Sequence, residues 1–445
     1  MRDLVLILAI SAGIITALPY PFVGLLLWAW FTVMDPHEGA YGIAQRLPWN
    51  LAIAIVALMA WLLSRRERKL PGVSVTIVLV VIFLSWMTFN SFFAVKPDWS
   101  WPFWDRTWKI YLMAVLATIL ATNRVRFHAL IWTVVISLSY WGVRGGVFTL
   151  LTGGGYHVYG PAGTELADNN NLALIIVMIL PLLNYLRQHT ASRIMRMGIV
   201  AALVLNVLTV LGSYSRGGFI ALGVLVVAFW LRTKNKLVYP VVAVVAIIPL
   251  LKFMPESFWH RMDTIQTYQT DASFDGRVQA WQVAYHFAVD HFPFGAGFYA
   301  PQLPQIFNHY FPGLTPHAAH SIFFQVLGEH GFIGLAIFLA MIASAFLNLR
   351  AVMRLTAKVP EMKWANDLAR MIQLSLLAFC VGGAALSLAY YDLFTLWICL
   401  SAGLLEHTRK QVKPSPGHAM ATARPAVARP YPVAMRYRGG LDARD

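Results

Sequence analysis

Long apolar runs recur along this chain, separated by short polar connections, and that pattern leaves few folds open. Only 12% of the residues are charged, against about a quarter in a typical soluble domain. Over 445 residues with 58% hydrophobic content, the bilayer is the expected solvent. A span needs about 20 mostly apolar residues. Candidates run from Leu51 to Leu63, Val73 to Phe93, Ile110 to Ala121, Phe127 to Leu150, Leu172 to Leu186 and Ile194 to Leu211. Others run from Gly218 to Leu231, Leu237 to Phe253, Ser321 to Leu347, Met371 to Tyr390 and Leu393 to Leu405.

The net charge of +15 would suit nucleic acid, but the basic residues sit in short runs between apolar stretches, as membrane flanks do. One alternating set of connections holds Arg65, Arg66, Arg68 and Lys69, then Arg124 and Arg126, then Arg187, Arg193 and Arg196. The set continues with Arg232, Lys234 and Lys236, then Arg350, Arg354 and Lys358, then the tail from Arg409. By the positive-inside rule these connections are cytoplasmic and the others periplasmic. A cytoplasmic N-terminus then requires residues 1–34 to cross an odd number of times. One crossing broken at Pro19 and Pro21 satisfies this and gives about twelve spans; two short crossings with an external N-terminus are the alternative. No small-residue cleavage site follows the first apolar run, so it is expected to remain as a membrane segment. Cys380 and Cys399 lie within apolar stretches and suggest no redox or metal pair.

The expected architecture is therefore all-α and polytopic. Transmembrane helices fill residues 1–253, a long periplasmic loop with amphipathic helices fills 254–319, and C-terminal transmembrane helices fill 320–406. A basic, Pro- and Ala-rich tail over 407–445 has no apolar period and is expected to be disordered and cytoplasmic. Within the loop, Val278, Trp281, Val283, Tyr285 and Phe287 recur at helical spacing from about Arg277. Aromatics and prolines are dense from Phe292 to Pro316 and suit the headgroup level.

Several residues on the periplasmic side could carry chemistry. In Ser213-Tyr214-Ser215-Arg216-Gly217-Gly218, Ser215 can cap a helix whose free amides, with Arg216, form an anion site; a snorkelling interfacial arginine explains the same pattern. Asp275-Gly276-Arg277 places a second arginine near a helix start; a solvated turn would look alike. Pro316-His317-Ala318-Ala319-His320-Ser321 leads straight into an apolar helix, and an imidazole there can act as a general base. His317 and His320 alone supply too few ligands for a metal. Glu329, in Gly328-Glu329-His330-Gly331, falls on the helix face opposite His320 at about 100° per residue and reads as a structural partner. Asp392 follows Tyr390-Tyr391 at the last outer turn, placed to pair with an arginine. Arg144, in Trp141-Gly142-Val143-Arg144-Gly145-Gly146, is an ionisable group near the outer half of a span, where charge is costly and often functional.

These pieces, in this order around one long loop, resemble the O-antigen ligase family, within a group that also holds O-antigen polymerases and bacterial protein O-oligosaccharyltransferases. The matching positions are Ser215-Arg216-Gly217-Gly218, Gly276-Arg277, His320-Ser321 and Gly328-Glu329-His330-Gly331, across roughly residues 120–405. The N-terminal part, with Asp35-Pro36-His37 and the loop from Gly153-Gly154-Gly155 to Asn171, resembles the O-glycosylation ligases associated with exosortase systems and leaves the acceptor open. The resemblance implies a GT-C-like glycosyltransferase of the bacterial inner membrane with its active site facing the periplasm. The donor would be a glycan on undecaprenyl diphosphate and the acceptor a hydroxyl of the lipid A core, with inversion and with neither metal nor cofactor. Arg216 and Arg277 would hold the diphosphate and His320 would orient or deprotonate the acceptor hydroxyl; Arg144, His317 and Asp392 would contact substrate. A transporter or flippase is the non-enzyme alternative, but such proteins keep ionisable groups near the midplane of inverted repeats, and no repeat is visible here.

Overall fold

The computed structural model describes residues 2–68, 72–232 and 272–412, with positions 236, 255, 256 and 259 between them. The expected span from Leu237 to Phe253, most of the loop before Ala272 and residues 413–445 of the expected tail lie outside the described residues, whereas residues 407–412, also expected in the tail, continue the last helix. Everything else is helix and connection; no strand occurs among the described residues.

The first two helices correct the expectation of one broken crossing. Helix α1 (Arg2–Ala17) and α2 (Pro21–Met34) run antiparallel, with Leu27 beside Gly13 and Ala17 beside Gly24. Pro21 occupies the first turn of α2, where its missing N–H is not needed, so it starts a helix and does not bend one. The hairpin returns the chain start to Tyr41, whose backbone N–H donates to Asp3 Oδ1 at 3.1 Å. The N-terminus therefore lies at the same end of the bundle as the connection after α2, the end expected to be periplasmic, and not at the opposite end.

A four-residue α3 (Ile43–Arg46) leads to α4 (Trp49–Leu63), α5 (Val75–Phe92), α6 (Pro97–Leu120) and α7 (Arg124–Leu151). Then come α8 (Asn169–His189), α9 (Arg193–Gly212), α10 (Arg216–Arg232), α11 (Ala272–Asp290) and α12 (Pro304–Tyr310). The last three are α13 (Ile322–Thr356), α14 (Lys363–Gly383) and α15 (Asp392–Val412). Side-chain caps set several starts: Ser74 for α5, Asn123 for α7, Asp168 for α8 and Ser192 for α9 each accept a first-turn amide. Five described helices, α5, α7, α8, α9 and α13, are long and apolar enough to cross a membrane, and α2 and α4 are shorter apolar helices. The expected count of about twelve crossings thus exceeds what length and hydropathy alone assign.

Helix α8 is the centre of the bundle, buried almost completely from Leu172 to Leu183 against α7, α9, α10 and α14. Helices α13 and α15 pack together and against α5 and α6. The outer helices turn large apolar residues outward, among them Met59 and Leu62 on α4 and Val200 and Val204 on α9. An apolar belt of this kind belongs against lipid. Helices α7 and α9 approach closely through Gly142, Gly145 and Gly146, where a Cβ would meet Asn206, Thr209 and the Leu205 backbone. Thr209 donates to the Gly142 carbonyl and Asn206 to Ser139 Oγ at 2.8 Å, the small-residue and polar contacts that hold membrane helices together.

Polar side chains sort to the two ends. At one end Arg126 pairs with Glu67, His189 with Asp367 at 3.2 Å, and Arg232 with Gln373 at 2.8 Å. That end gathers the basic connections named above. At the other end, the Val158 N–H donates to the Gly212 carbonyl, the Val95 N–H to the Ala296 carbonyl and the Ala389 N–H to Gln325 Oε1.

The loop forms a cap on this second end. Helix α11 starts at Ala272, five residues before Arg277 (277 − 272), and its inner face is Ala280, Val283, Ala284 and Phe287. Val283 and Phe287 are on the expected face, whereas Tyr285 turns out to solvent at 48% exposure. The aromatic stretch after Phe292 folds back onto α11 and makes a second small core with Leu303, Ile306 and Phe307.

Candidate active site

The sequence brings His320 to the cap end by a strained turn. His320 has φ +41°, in the left-handed region that side chains other than glycine seldom adopt. Ser321 follows as the first-turn cap position of α13. Two contacts of Trp281 on α11 hold this turn in place: its indole N–H donates to the Ala319 carbonyl at 2.6 Å, and its ring stacks on Phe324 with centroids 5.3 Å apart. The anchoring residues therefore lie on both sides of His320.

Arg277, on the same helix as Trp281, acts on His320 electrostatically, as do Asp168 and His317. Burial first, and the Arg277 guanidinium second, hold the His320 imidazole below the usual histidine range, while Asp168 pulls it back up. The ring is thus neutral at pH 7 and able to accept a proton. His317 lies against the start of α11; a Cβ on Gly276 would sit 2.9 Å from its ring. Gly276 is therefore what lets the histidine segment close onto the Arg277 turn.

Arg216 starts α10 beside the same cluster. Ser215 Oγ accepts the Gly218 N–H at 3.1 Å, as its sequence position suggested. Asn169, next to the Asp168 that faces His320, donates to the Ser213 carbonyl at 2.7 Å. Gly217 approaches the Gly382 carbonyl, and neighbouring Gly383 meets Ile322, two residues past His320. The starts of α8, α10 and α13 and the end of α14 thus converge, with Asp168, Arg216 and His320 carried on three of them. Tyr214, before Ser215, also has positive φ, +58°. Among the described residues the four non-glycine positions of this kind are Asp35, Tyr214, Tyr299 and His320, all at the cap end, where strain must be held by surrounding contacts.

Both carboxylate oxygens of Glu329 are hydrogen-bonded. Tyr390 Oη donates to Glu329 Oε2 at 2.7 Å, and the Tyr299 N–H donates to Oε1 at 3.1 Å. The side chain clamps the cap loop and the connection before α15 to α13. Gly331 breaks α13 with φ +68°, and a Cβ there would strike the Pro293 and Phe294 backbone. Gly295 and Gly297 lie on the same contact, the latter donating its N–H to the Glu329 carbonyl at 3.0 Å.

Arg144 and Asp392 lie apart from this cluster. Arg144 stands over the Trp141 ring at 5.6 Å and lines a groove of about 500 Å³ with His157 and Tyr159. Asp392 interacts electrostatically with Arg106, whose guanidinium is hydrogen-bonded to Glu165 at 2.6 Å, while Asp392 Oδ1 is buried with no hydrogen-bond partner. Asp168, Arg106 and Glu165 were not singled out from sequence. Asp168 had a local signal, an acidic residue directly before the Asn-rich start of an apolar run, which is a helix-cap pattern. Arg106 and Glu165 had none. Among the described residues no group of three or more His, Cys, Asp or Glu is arranged to hold a metal ion.

Helices with a lipid-facing apolar belt, charge-sorted ends and an imidazole-bearing cluster at one end are those of a polytopic membrane protein. Residues 201–339 match the family model described as O-Antigen ligase, so this part of the chain is similar to the O-antigen ligase family. That similarity supports glycosyltransferase-like activity in general, on polysaccharide and lipid-linked substrates. Arg216, Arg277, His320 and Glu329 all fall within the match; Arg144 and Asp392 do not. Residues 1–191 match a family of unknown function, DUF5935. No curated protein matches the chain.

Proposed function

We propose that this protein transfers a preassembled polysaccharide from undecaprenyl diphosphate to an acceptor hydroxyl, that of the lipid A core, at the periplasmic face of the inner membrane. The observation that carries the reading is the electrostatic contact of His320 with Arg277 and Asp168 at the mouth of a bundle whose other end collects the basic connections. The basic end faces the cytoplasm by the positive-inside rule, so the His320 end and the hairpin start face the periplasm.

The reaction needs two things from the protein. The diphosphate leaving group gains charge as the sugar–oxygen bond breaks, and fixed cations with helix-start amides offset that charge. Arg277 and Arg216 with the first turn of α10 are the groups for this task. The acceptor hydroxyl must lose its proton as its oxygen attacks the anomeric carbon from the opposite side. Neutral His320 takes that proton, the electron pair of the broken bond stays on the diphosphate, and the configuration inverts. No metal is needed where the cations are supplied by side chains. The lipid tails of both reactants confine them to the membrane surface, which supplies orientation.

The test is the lipopolysaccharide of a deletion strain complemented with the wild-type gene or with Arg216→Ala, Arg277→Ala or His320→Ala. Loss of long chains with build-up of carrier-linked glycan is expected for the deletion and the three variants. Short-chain carrier-linked glycan accumulating in place of long-chain would favour a polymerase. Normal lipopolysaccharide together with an unglycosylated protein would favour a protein oligosaccharyltransferase, and normal glycans throughout would overturn the reading.

A further inference from the structure

A cavity of about 780 Å³ opens at the cap end between α2, α4, α6 and the connection before α15, away from the His320 cluster. Its lower wall is apolar, from Leu51, Ala54 and Leu58 of α4 and Met113 of α6. Its mouth carries Asp35, Arg106, Glu165 and Asp392 beside the rings of Trp49 and Trp108. Asp392 is 93% buried (7% exposed), lines this space, and leaves Oδ1 without a hydrogen-bond partner. A buried acceptor oxygen without a donor is costly, and Asp392 stands in the wall of a space large enough for a ligand. Arg106 cannot offset it fully, because its guanidinium is taken by Glu165.

The chemistry of the mouth selects the ligand. The lining sets Asp35, Asp105, Glu165 and Asp392 against Arg106 and Lys109, a balance that disfavours a diphosphate and leaves it to Arg216 and Arg277. Hydroxyl groups donate to carboxylates, and flat aromatic rings pack against the apolar faces of sugar rings. The apolar wall below would take hydrocarbon. A smaller cavity of about 70 Å³ shares Arg106, Ile110, Glu165 and Tyr391 with the first and is also lined by Gln325. Gln325 belongs to the first turn of α13, its N–H donating to the Ser321 carbonyl at 2.8 Å, directly after His320. The two cavities thus share a wall, and the smaller one borders the helix that His320 leads into.

We infer that this chamber, built largely by the N-terminal part of the chain, binds uncharged sugar rings of a lipid-anchored acceptor, with Asp392 accepting a sugar hydroxyl. The inference rests on the transferase reading, since a glycosyl acceptor presupposes transfer. The full-length protein in lipid nanodiscs would be titrated separately with lipid A carrying a phosphate-free core oligosaccharide and with undecaprenyl diphosphate. Asp392→Asn and Trp108→Ala should each bind the core glycolipid about tenfold more weakly and bind undecaprenyl diphosphate as the wild type does. Retained carrier binding also reports that each variant is folded. Wild-type glycolipid binding in both variants would overturn the chamber while leaving the transfer reading intact. Weakened carrier binding with unchanged glycolipid binding would overturn it too, by making the chamber a donor site. Glycolipid binding that depends on Asp392 in a protein that never binds the carrier would keep the chamber and end the transfer reading.

Discussion

His320 combines a strained backbone, partial burial and three charged or titratable neighbours, and each has a separable consequence. As a base it must be neutral, so the rate should fall as acid protonates it, below the ordinary histidine range because its pKa is lowered. Asp168 is the neighbour that raises that pKa. Asp168→Asn keeps the α8 cap, since Asn caps as well as Asp, but removes the charge. The acid limb of the pH–rate profile should then shift to lower pH with the plateau rate little changed; an unmoved limb would show that Asp168 does not act on the base. Asp35 shows the opposite shift. Burial first, then Asp392, push its carboxyl up to about 7, with Glu38 and Glu165 adding and Arg106 opposing. A folded carboxyl that holds its proton more tightly than the unfolded chain, whose value is 3.8, favours the fold at low pH and loses that benefit as pH rises through about 7. Asp35→Asn should therefore leave thermal stability unchanged near pH 4 and raise it by roughly 1–3 kcal/mol at pH 8, as thermal unfolding of the purified protein would read.

At the scale of elements, the break in α13 is where packing depends most on glycine. Gly331 combines φ +68° with close backbone of Pro293 and Phe294, so Gly331→Ala should destabilise by roughly 2 kcal/mol or more. Gly223, in α10 with open space around it, is the control, where alanine should stabilise by about 0.5–1 kcal/mol. Equal melting points for the two variants would contradict this account of the kink. The same scale shows what was legible in sequence. The Ser215 cap could be read locally, because caps have short-range signatures. The α1–α2 hairpin was misread because Pro19 and Pro21 fit a kinked span as well as a turn; only the pairing of Leu27 with Gly13 decides. The chamber at Asp392 was invisible, because Asp35, Arg106, Glu165 and Asp392 come from four distant segments and no periodicity links them.

For the whole molecule, the sorting of charge assigns orientation, and labelling can check it. Tyr41, 83% exposed beside the chain start, and Arg66, in the basic connection after α4, lie at opposite ends. Both native cysteines are buried or half-buried, so single cysteines at those two positions can be read in intact cells. A membrane-impermeant maleimide should label Tyr41→Cys and not Arg66→Cys; the reverse pattern would turn the bundle over and place His320 in the cytoplasm. The four converging helix ends bring Asp168, which lies outside the matched residues 201–339, to His320, which lies inside them.

The claim on which the rest depends is that His320 takes a proton from the acceptor while the arginines hold the carrier. Purified wild-type and His320→Ala protein, given undecaprenyl-diphosphate-linked glycan and lipid A core, measure this directly. The His320→Ala protein should bind the carrier as the wild type does and transfer glycan about 100-fold more slowly or worse. Transfer at the wild-type rate by that variant would contradict the mechanism.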